Sequence, residues 1–260
     1  ATVGHGNDVR RSAVGTRVHV RRNTAPKAVL FGSGFTDADG LAIVPQGSWP
    51  CGKGECTMTA TFAVLTGDLI GSTKAGEDAV GTAFTTLSES ALEIGRWTGA
   101  ETRLTRSRGD SWQMVLVRPE YWLRASLYLV MRLRAQETIA TRIGVGIGPI
   151  KSFGTADLSD ALGPAFERAG LALDTLPKRS RLALNDGGTG WQHLSVSFID
   201  RISQKWTQSQ AEAGVRALVP GNPTQTAIAA ELGVSQQAIG QRLAGMEMDL
   251  IEAALSLAEA

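Results

Sequence analysis

The stretch Phe62-Ala-Val-Leu-Thr-Gly-Asp68-Leu-Ile-Gly-Ser-Thr73 decides how this chain is read. Phe62, Ala63, Val64 and Leu65 form an apolar run without polar alternation, which is the pattern of a strand buried on both faces. The run ends at Gly67-Asp68 and passes into a Gly/Ser loop. Outward from it, Glu77–Trp97 carries Val80, Phe84, Leu87, Ala91 and Ile94 at helical spacing. Thr102–Arg106 and Trp112–Val117 flank Arg108-Gly-Asp-Ser111, a hairpin with a tight turn. Pro119 suits the first turn of a helix running to about Gln136. Ile139–Ile150 alternates around glycines as a strand, Leu162–Leu176 is helical, and Arg181–Leu184 is a last strand. The order β-α-β-β-α-β-α-β predicts an α+β sandwich, a ferredoxin-like core with an added unit, over residues 58–190.

The flanks read differently. Residues 1–57 hold nine glycines without period, a basic cluster (Arg10, Arg11, Arg17, Arg21, Arg22) and only fragments of apolar sequence. They are expected to be a disordered leader or an over-extended reading frame, with folding beginning near Met58. The alternative is a basic arm on nucleic acid phosphates. Residues 191–260 are helical throughout, with Pro220-Gly-Asn-Pro223 as the clear break. Within them, Ile228, Ala229 and Leu232 form the inner face of one helix. Gly233 supplies a tight turn, Ser235 caps the next helix, and Ile239 and Leu243 close the core. This is the pattern of a helix-turn-helix. Gln236, Gln237, Gln241 and Arg242, with Ser235 at the cap, are then candidate DNA-binding residues, because Gln and Arg pair with adenine and guanine edges. The opposing reading is a solvated helix face.

Composition narrows the function. The 260 residues carry 26 Lys/Arg and 25 Asp/Glu, a formal charge of +1. By segment, residues 1–57 hold seven cations against four anions, and residues 201–260 hold four against six. No segment is basic enough to claim nucleic acid on charge alone, and double-stranded DNA as a partner therefore implies a homodimer. No run of apolar residues is long enough to span a membrane. Cys51 and Cys56 stand in one Gly-rich stretch without nearby histidines, which excludes a disulfide framework and makes a poor zinc site. A reducing cytoplasm is the expected location.

Two carboxylates are placed for chemistry. Asp68 ends a strand and Asp110 sits in a hairpin turn. In the sandwich topology these strands are neighbours, so both can meet at one end of the sheet. Paired carboxylates beside loop backbone groups suit Mg²⁺ or Mn²⁺ bound to a nucleotide triphosphate. Both residues are also common turn formers, and that plainer reading stays open.

The stretch from Phe62 to about Leu184 resembles class III nucleotidyl cyclase domains. Gly67-Asp68-Leu-Ile-Gly71-Ser72-Thr73 is similar to their first metal-binding strand and loop, and Gly109-Asp110 to their second metal carboxylate. Arg142-Ile-Gly-Val-Gly-Ile-Gly148 is similar to their later glycine-bearing strand, and Asp160-Ala-Leu-Gly163-Pro-Ala-Phe to the segment that carries a base-reading carboxylate. Arg-Gly-Asp-Ser, Gly-Pro-Ala-Phe, Trp206-Thr-Gln-Ser-Gln210 and the helix-turn-helix together look most like the SatD family. The resemblance implies metal ligands at Asp68 and Asp110, and nucleotide contacts at Gly71, Ser72, Thr73, Asp160 and, in place of a base-reading lysine, Arg106.

It also implies a defect. Active cyclases carry an asparagine and, four residues on, an arginine that stabilises developing charge on the α-phosphate. Those positions here read Glu167 and Leu171. The expectation is a regulatory protein in which a cyclase-like domain without cyclase chemistry is joined to a DNA-binding helix-turn-helix. The alternative is a metal-dependent cyclase or a related enzyme acting on an NTP. Plainer readings accompany each residue: Arg106 on a solvated strand face, Asp160 as the cap of the following helix, His193 on the surface, and the tryptophans in the core.

Overall fold

The computed structural model describes residues 60–107, 109–221 and 223–260, together with Phe35–Thr36 (β1) and Ala42–Ile43 (β2), which pair antiparallel. Apart from those four residues, the expectation for residues 1–57 falls outside the described residues, as does Arg108.

β3 (Phe62–Leu69) is the centre of a five-stranded sheet. It continues past the apolar run through Gly67, Asp68 and Leu69 because both flanks stay paired: Asp68 lies opposite Ser111 on one side and Arg142 on the other. A short turn, α1 (Ser72–Ala75), leads into α2 (Glu77–Thr98). The hairpin of β4 (Thr102–Arg106) and β5 (Ser111–Leu116) follows, with Arg106 opposite Trp112. A 3-10 turn at Pro119–Tyr121 opens α3 (Trp122–Ala135), and β6 (Thr141–Gly148) returns antiparallel to β3. After a 3-10 turn at Leu158–Asp160, α4 (Pro164–Asp174) crosses to β7 (Leu182–Asn185), which is parallel to β6. The sheet order is β4-β5-β3-β6-β7. Its first four strands have the split βαβ arrangement expected of a ferredoxin-like core, and β7 is the added unit.

The apolar run of β3 divides by parity. Ala63 and Leu65 enter the core under α2 and α3, while Phe62 and Val64 join Val115, Ala165, Phe166 and Ala169 under α4. Both faces are covered, which is why no polar residue interrupts the run. Complete burial of a side chain such as Leu65 contributes about 1.5–3 kcal/mol. On β6, glycine replaces side chains where α4 presses down. A Cβ on Gly144 would lie 2.4 Å from the carbonyl oxygen of Ala169, and one on Gly146 would lie 2.1 Å from that of Ala165. The alternating glycines thus set the distance between helix and sheet.

α3 is apolar on nearly all sides: Trp122, Leu123, Ala125, Leu127, Tyr128, Leu129, Met131 and Leu133 are all buried. A helix of this kind needs cover on every face. The sheet and α2 cover one side, and the C-terminal helices cover the other. Those helices are α5 (Trp191–Ser203), α6 (Gln208–Ala217), α7 (Gln225–Leu232), α8 (Gln236–Ala244) and α9 (Met248–Ala258). The break at Gln204–Thr207, which the pattern of apolar residues did not reveal, has a local cause. Thr207 Oγ1 accepts the Gln210 N–H at 3.3 Å, and the Gln210 side chain accepts the Thr207 N–H at 2.8 Å, a reciprocal capping box. Trp206, buried before this cap, donates to the carbonyl of Met246 at 3.2 Å. Arg124 of α3 pairs with Glu259 and donates to the Leu218 carbonyl at 2.8 Å. One cluster of buried side chains runs without interruption from Leu65 and Trp112 through Leu129 to Ile239 and Leu255. Trp191 departs from the expectation of core tryptophans: it is 81% exposed at the start of α5.

Candidate functional site

The end of β3 and the β4–β5 turn are joined by the backbone, because the N–H of Leu69 donates to the carbonyl of Asp110 at 3.1 Å. The carboxylate of Asp110 then accepts the Ser72 hydroxyl at 2.5 Å, which ties the hairpin to the Gly71-Ser72-Thr73 loop. Asp68 is held from the other side. Arg142, its partner across the β3–β6 register, donates Nε to Oδ1 at 2.8 Å and Nη2 to Oδ2, a two-pronged ion pair. The hydrogen-bonded Asp68, with Asp110 nearby, pushes the guanidinium further above its ordinary pKa. Sequence reasoning took Arg142 only as the first residue of a glycine-bearing strand. Its signal was positional: the residue opposite a strand-end carboxylate is a cation.

Two clefts meet at Asp110. One, of about 650 Å³, is lined by Asp68, Asp110, Arg142, Lys178, Arg179 and Arg201, among others. Cations outnumber carboxylates there. Lys178, Arg179 and Arg201 are exposed and form no ion pair among the described residues. The second, of about 560 Å³, is lined by Ser72, Thr73, Glu77, Arg106 and Asp110 on the other side of the loop. Arg106 lies 4.2 Å over the ring of Phe84 and donates to the Gly109 carbonyl at 3.2 and 3.1 Å. It is braced at the mouth of this cleft rather than free on a strand face.

Of the sequence candidates, Asp68, Gly71, Ser72, Thr73, Arg106 and Asp110 come together, and Asp160 does not. Its exposed carboxylate accepts the Thr155 N–H at 2.9 Å and the Thr155 hydroxyl at 2.8 Å, and these bonds hold its pKa low. It lines neither cleft and does not cap α4, whose N-cap is Gly163. Glu167 and Leu171 are exposed on α4, Leu171 by 56%. The one cation of that helix, Arg168, donates to the carbonyls of Ile147 and Asp186, the latter at 3.3 Å, and so braces the ends of β6 and β7. His193, read as a surface residue, is half-buried, with Nε2 3.0 Å from the Asp186 carboxylate.

Among the described residues no three His, Cys, Asp or Glu side chains converge as a metal cage. Two carboxylates with loop carbonyls nearby nonetheless suit Mg²⁺ when phosphate oxygens complete the shell. With both Asp68 oxygens engaged by Arg142, the residues fit a cation accompanied by phosphate better than a cation alone. A phosphate would offer Arg142 another bidentate partner and so would free Asp68.

In the helical region, Gly233 adopts the left-handed conformation (φ 65°) after α7, and Ser235 Oγ accepts the Ala238 N–H at 3.1 Å to cap α8. Ile228, Ala229, Ile239 and Leu243 are buried between the two helices and their neighbours. Gln236, Gln237 and Gln241 are exposed on α8. Arg242 differs from its expected placement: Nη1 lies 3.6 Å from Glu212 of α6 and so is paired within the fold. Arg216 is likewise paired with Glu231 at 2.8 Å. Among the described residues no helix is long and apolar enough to cross a membrane.

No protein-family model matches the chain, and no curated protein is similar to it in sequence. Several solved structures are similar to the chain at low identity. A bacterial light-regulated adenylyl cyclase is 17% identical over 48% of this chain, with a TM-score of 0.37. This chain covers 43% of that protein, so it spans less than half the length of that relative. The catalytic core of a rhodopsin-guanylyl cyclase with converted specificity, in complex with ATPαS, is 18% identical over 45% of this chain and 72% of its own, TM-score 0.33. The active GGEEF domain of a diguanylate cyclase from Vibrio cholerae is 15% identical over 48% of this chain and 83% of its own, TM-score 0.33.

Proposed function

We propose that this chain is a cytoplasmic regulator of SatD type. In this reading a cyclase-like sandwich (58–190) binds a nucleotide with Mg²⁺ or Mn²⁺ without cyclising it, and the helical region (191–260) binds double-stranded DNA as a homodimer. One observation carries the reading: the cleft holding Asp68, Asp110 and Arg142 is also lined by Arg201 of α5 and by Gln204 just past its end, and α5 is the first helix of the region that holds α7 and α8. Occupancy of the cleft therefore touches that region directly. Asp68 and Asp110 would hold the cation and Arg142 would exchange Asp68 for a phosphate, with Gly71 lining the same cleft, while Ser72 and Thr73 face the second cleft beside Arg106. Ser235 caps the helix that presents Gln236, Gln237 and Gln241 to a major groove. Silence as a cyclase follows from α4, where Glu167 and Leu171 offer no donor and Arg168 is committed to backbone carbonyls.

The test is a thermal-shift panel of NTPs and cyclic nucleotides with Mn²⁺, with product analysis of each hit and binding selection on random duplex DNA. Nucleotide binding without turnover, lost in Asp68→Asn and Asp110→Asn, together with an enriched DNA site, is the expected result. Cyclic product formation would replace this reading with the enzymatic one, for which the paired carboxylates are the supporting feature. Wild-type nucleotide binding in both variants would place the ligand elsewhere.

A further inference from the structure

A third hollow adjoins the cleft that holds Asp68 and Asp110. It encloses about 240 Å³ between the last turns of α3, the starts of β6 and β7, and α5. Leu127, Val130 and Leu182 form its apolar wall, and Arg134 and Arg181 bring two guanidiniums to it. Two acidic residues also line it. Asp200, 1% exposed, has its oxygens taken: both lie 3.1 Å from the backbone N–H of Arg181, and one accepts the Gln204 amide at 3.0 Å. Glu137 is exposed, at a turn with φ 50°, and makes no ion pair among the described residues. Neither arginine side chain forms a hydrogen bond or ion pair with a described residue. Burial first, and then the neighbouring Arg134, hold the Arg181 guanidinium below its ordinary pKa, against the smaller opposing pull of the Asp200 carboxylate.

Two like charges without hydrogen-bonded partners beside a half-enclosed, partly apolar hollow repel one another, and the Asp200 carboxylate, its oxygens already taken, offsets this only in part. An oxyanion would remove that penalty, since each guanidinium offers a two-pronged donor edge to phosphate. We infer that Arg134 and Arg181 form a second anion site, for a phosphate group, between the sandwich and the helical region. It is distinct from the Asp68 cleft but next to it, because Arg181 and Gln204 line both hollows. The phosphate is either free or the end of a larger ligand that reaches in from the cleft.

Inorganic phosphate is the probe, titrated against chloride at equal ionic strength, with binding read by thermal shift and calorimetry. The expected result is a phosphate-specific rise in Tm. Loss of one charge-assisted contact in Arg134→Gln or Arg181→Gln weakens phosphate binding about tenfold. Lys151→Gln, at an exposed cation that lines neither hollow, leaves phosphate binding in place. Without phosphate, both hollow variants melt at or above the parent temperature, because one of two repelling charges is gone. A merely structural arginine would give a lower Tm instead. Arg134 is partly exposed and its variant tests the site even where Arg181→Gln is poorly folded. Absence of a phosphate-specific shift in the parent, equal affinity in the hollow variants, or equal loss in Lys151→Gln would each overturn the inference. Weakening of an NTP by Arg181→Gln beyond that of phosphate identifies the nucleotide tail as the source; equal weakening identifies the free ion.

Discussion

Adding a single methyl to β6 tests the close approach of α4 to the sheet. In Gly146→Ala the new Cβ would stand 2.1 Å from the Ala165 carbonyl oxygen and 2.3 Å from the Ala169 nitrogen, both backbone atoms that cannot rotate away. Unstrained contacts need about 3.5 Å, so α4 must lift by roughly 1 Å, which forfeits between a quarter and a half of the dispersion attraction along its contact with the sheet. Overpacking of this kind costs about 3 kcal/mol, the upper part of its usual range. For a chain of this size that corresponds to a fall in Tm of about 6–12 °C. Gly170→Ala is the matched control. It lies in α4 itself with nothing within 4 Å of its would-be Cβ. There the same methyl should stabilise by up to about 1 kcal/mol, through helix propensity alone. Urea unfolding followed by circular dichroism measures both. If Gly146→Ala unfolds within about 0.5 kcal/mol of the parent, the glycines of β6 do not set the spacing and the reasoning fails.

The remaining expectations concern charge. Burial raises the Glu101 carboxyl from 4.5 to about 7 against the opposing pull of Arg103, and its Oε1 is buried without a hydrogen bond. The folded chain thus keeps a proton that the unfolded chain releases, so this stabilising share is complete below pH 4.5 and is lost as pH rises through about 7. Its size, discounted for partial exposure, is on the order of 1 kcal/mol. Glu101→Gln should flatten stability across that window in pH-resolved denaturation, and an unchanged slope would assign it to other groups. Arg142→Gln should tighten binding of Mn²⁺ alone by freeing Asp68 and weaken binding of Mn²⁺-nucleotide. Calorimetry showing both moving in the same direction would contradict the exchange of partners. Gln237→Ala should cost about 1–3 kcal/mol on any selected DNA site and relax preference at one base pair, while uniform weakening over all sequences would mark a backbone contact instead. Glu259→Gln removes the charge that pairs with Arg124 and should cost about 1–2 kcal/mol, read as a lower urea midpoint; no change would make that pair incidental.

The alternation of apolar segments was enough to order the elements, since each strand and helix is amphipathic or buried in its own register. Boundaries moved where pairing outran composition: β3 extends through Gly67-Asp68 because two neighbours hold it, and no single-chain pattern reports a neighbour. The Gln204–Thr207 break escaped notice although its Thr-Gln-Ser-Gln signature was present, because helical spacing was read across it. Within the site, Asp68, Asp110 and the Gly71-Ser72-Thr73 loop were legible as strand-end and turn chemistry. Arg142, the adjacent Lys178 and Arg179, and Arg201 were not, since they converge on the cleft from three places in the sequence that only the fold brings together. Asp160 stands apart from the clefts because its carboxylate closes its own loop on Thr155.

α3 has one more consequence, for how such a protein can be rearranged. Two regions joined by a flexible tether can be cut and traded between genes. Here the rod that the sheet rests on is the same rod that α6 packs against, so a splice near residue 190 leaves greasy surface on both products. A transplantable helical region would have to carry α3 with it, and α3 in turn needs the sheet. The sandwich and the helices beyond it must therefore diversify together, by substitution along a shared helix, instead of by exchange of parts.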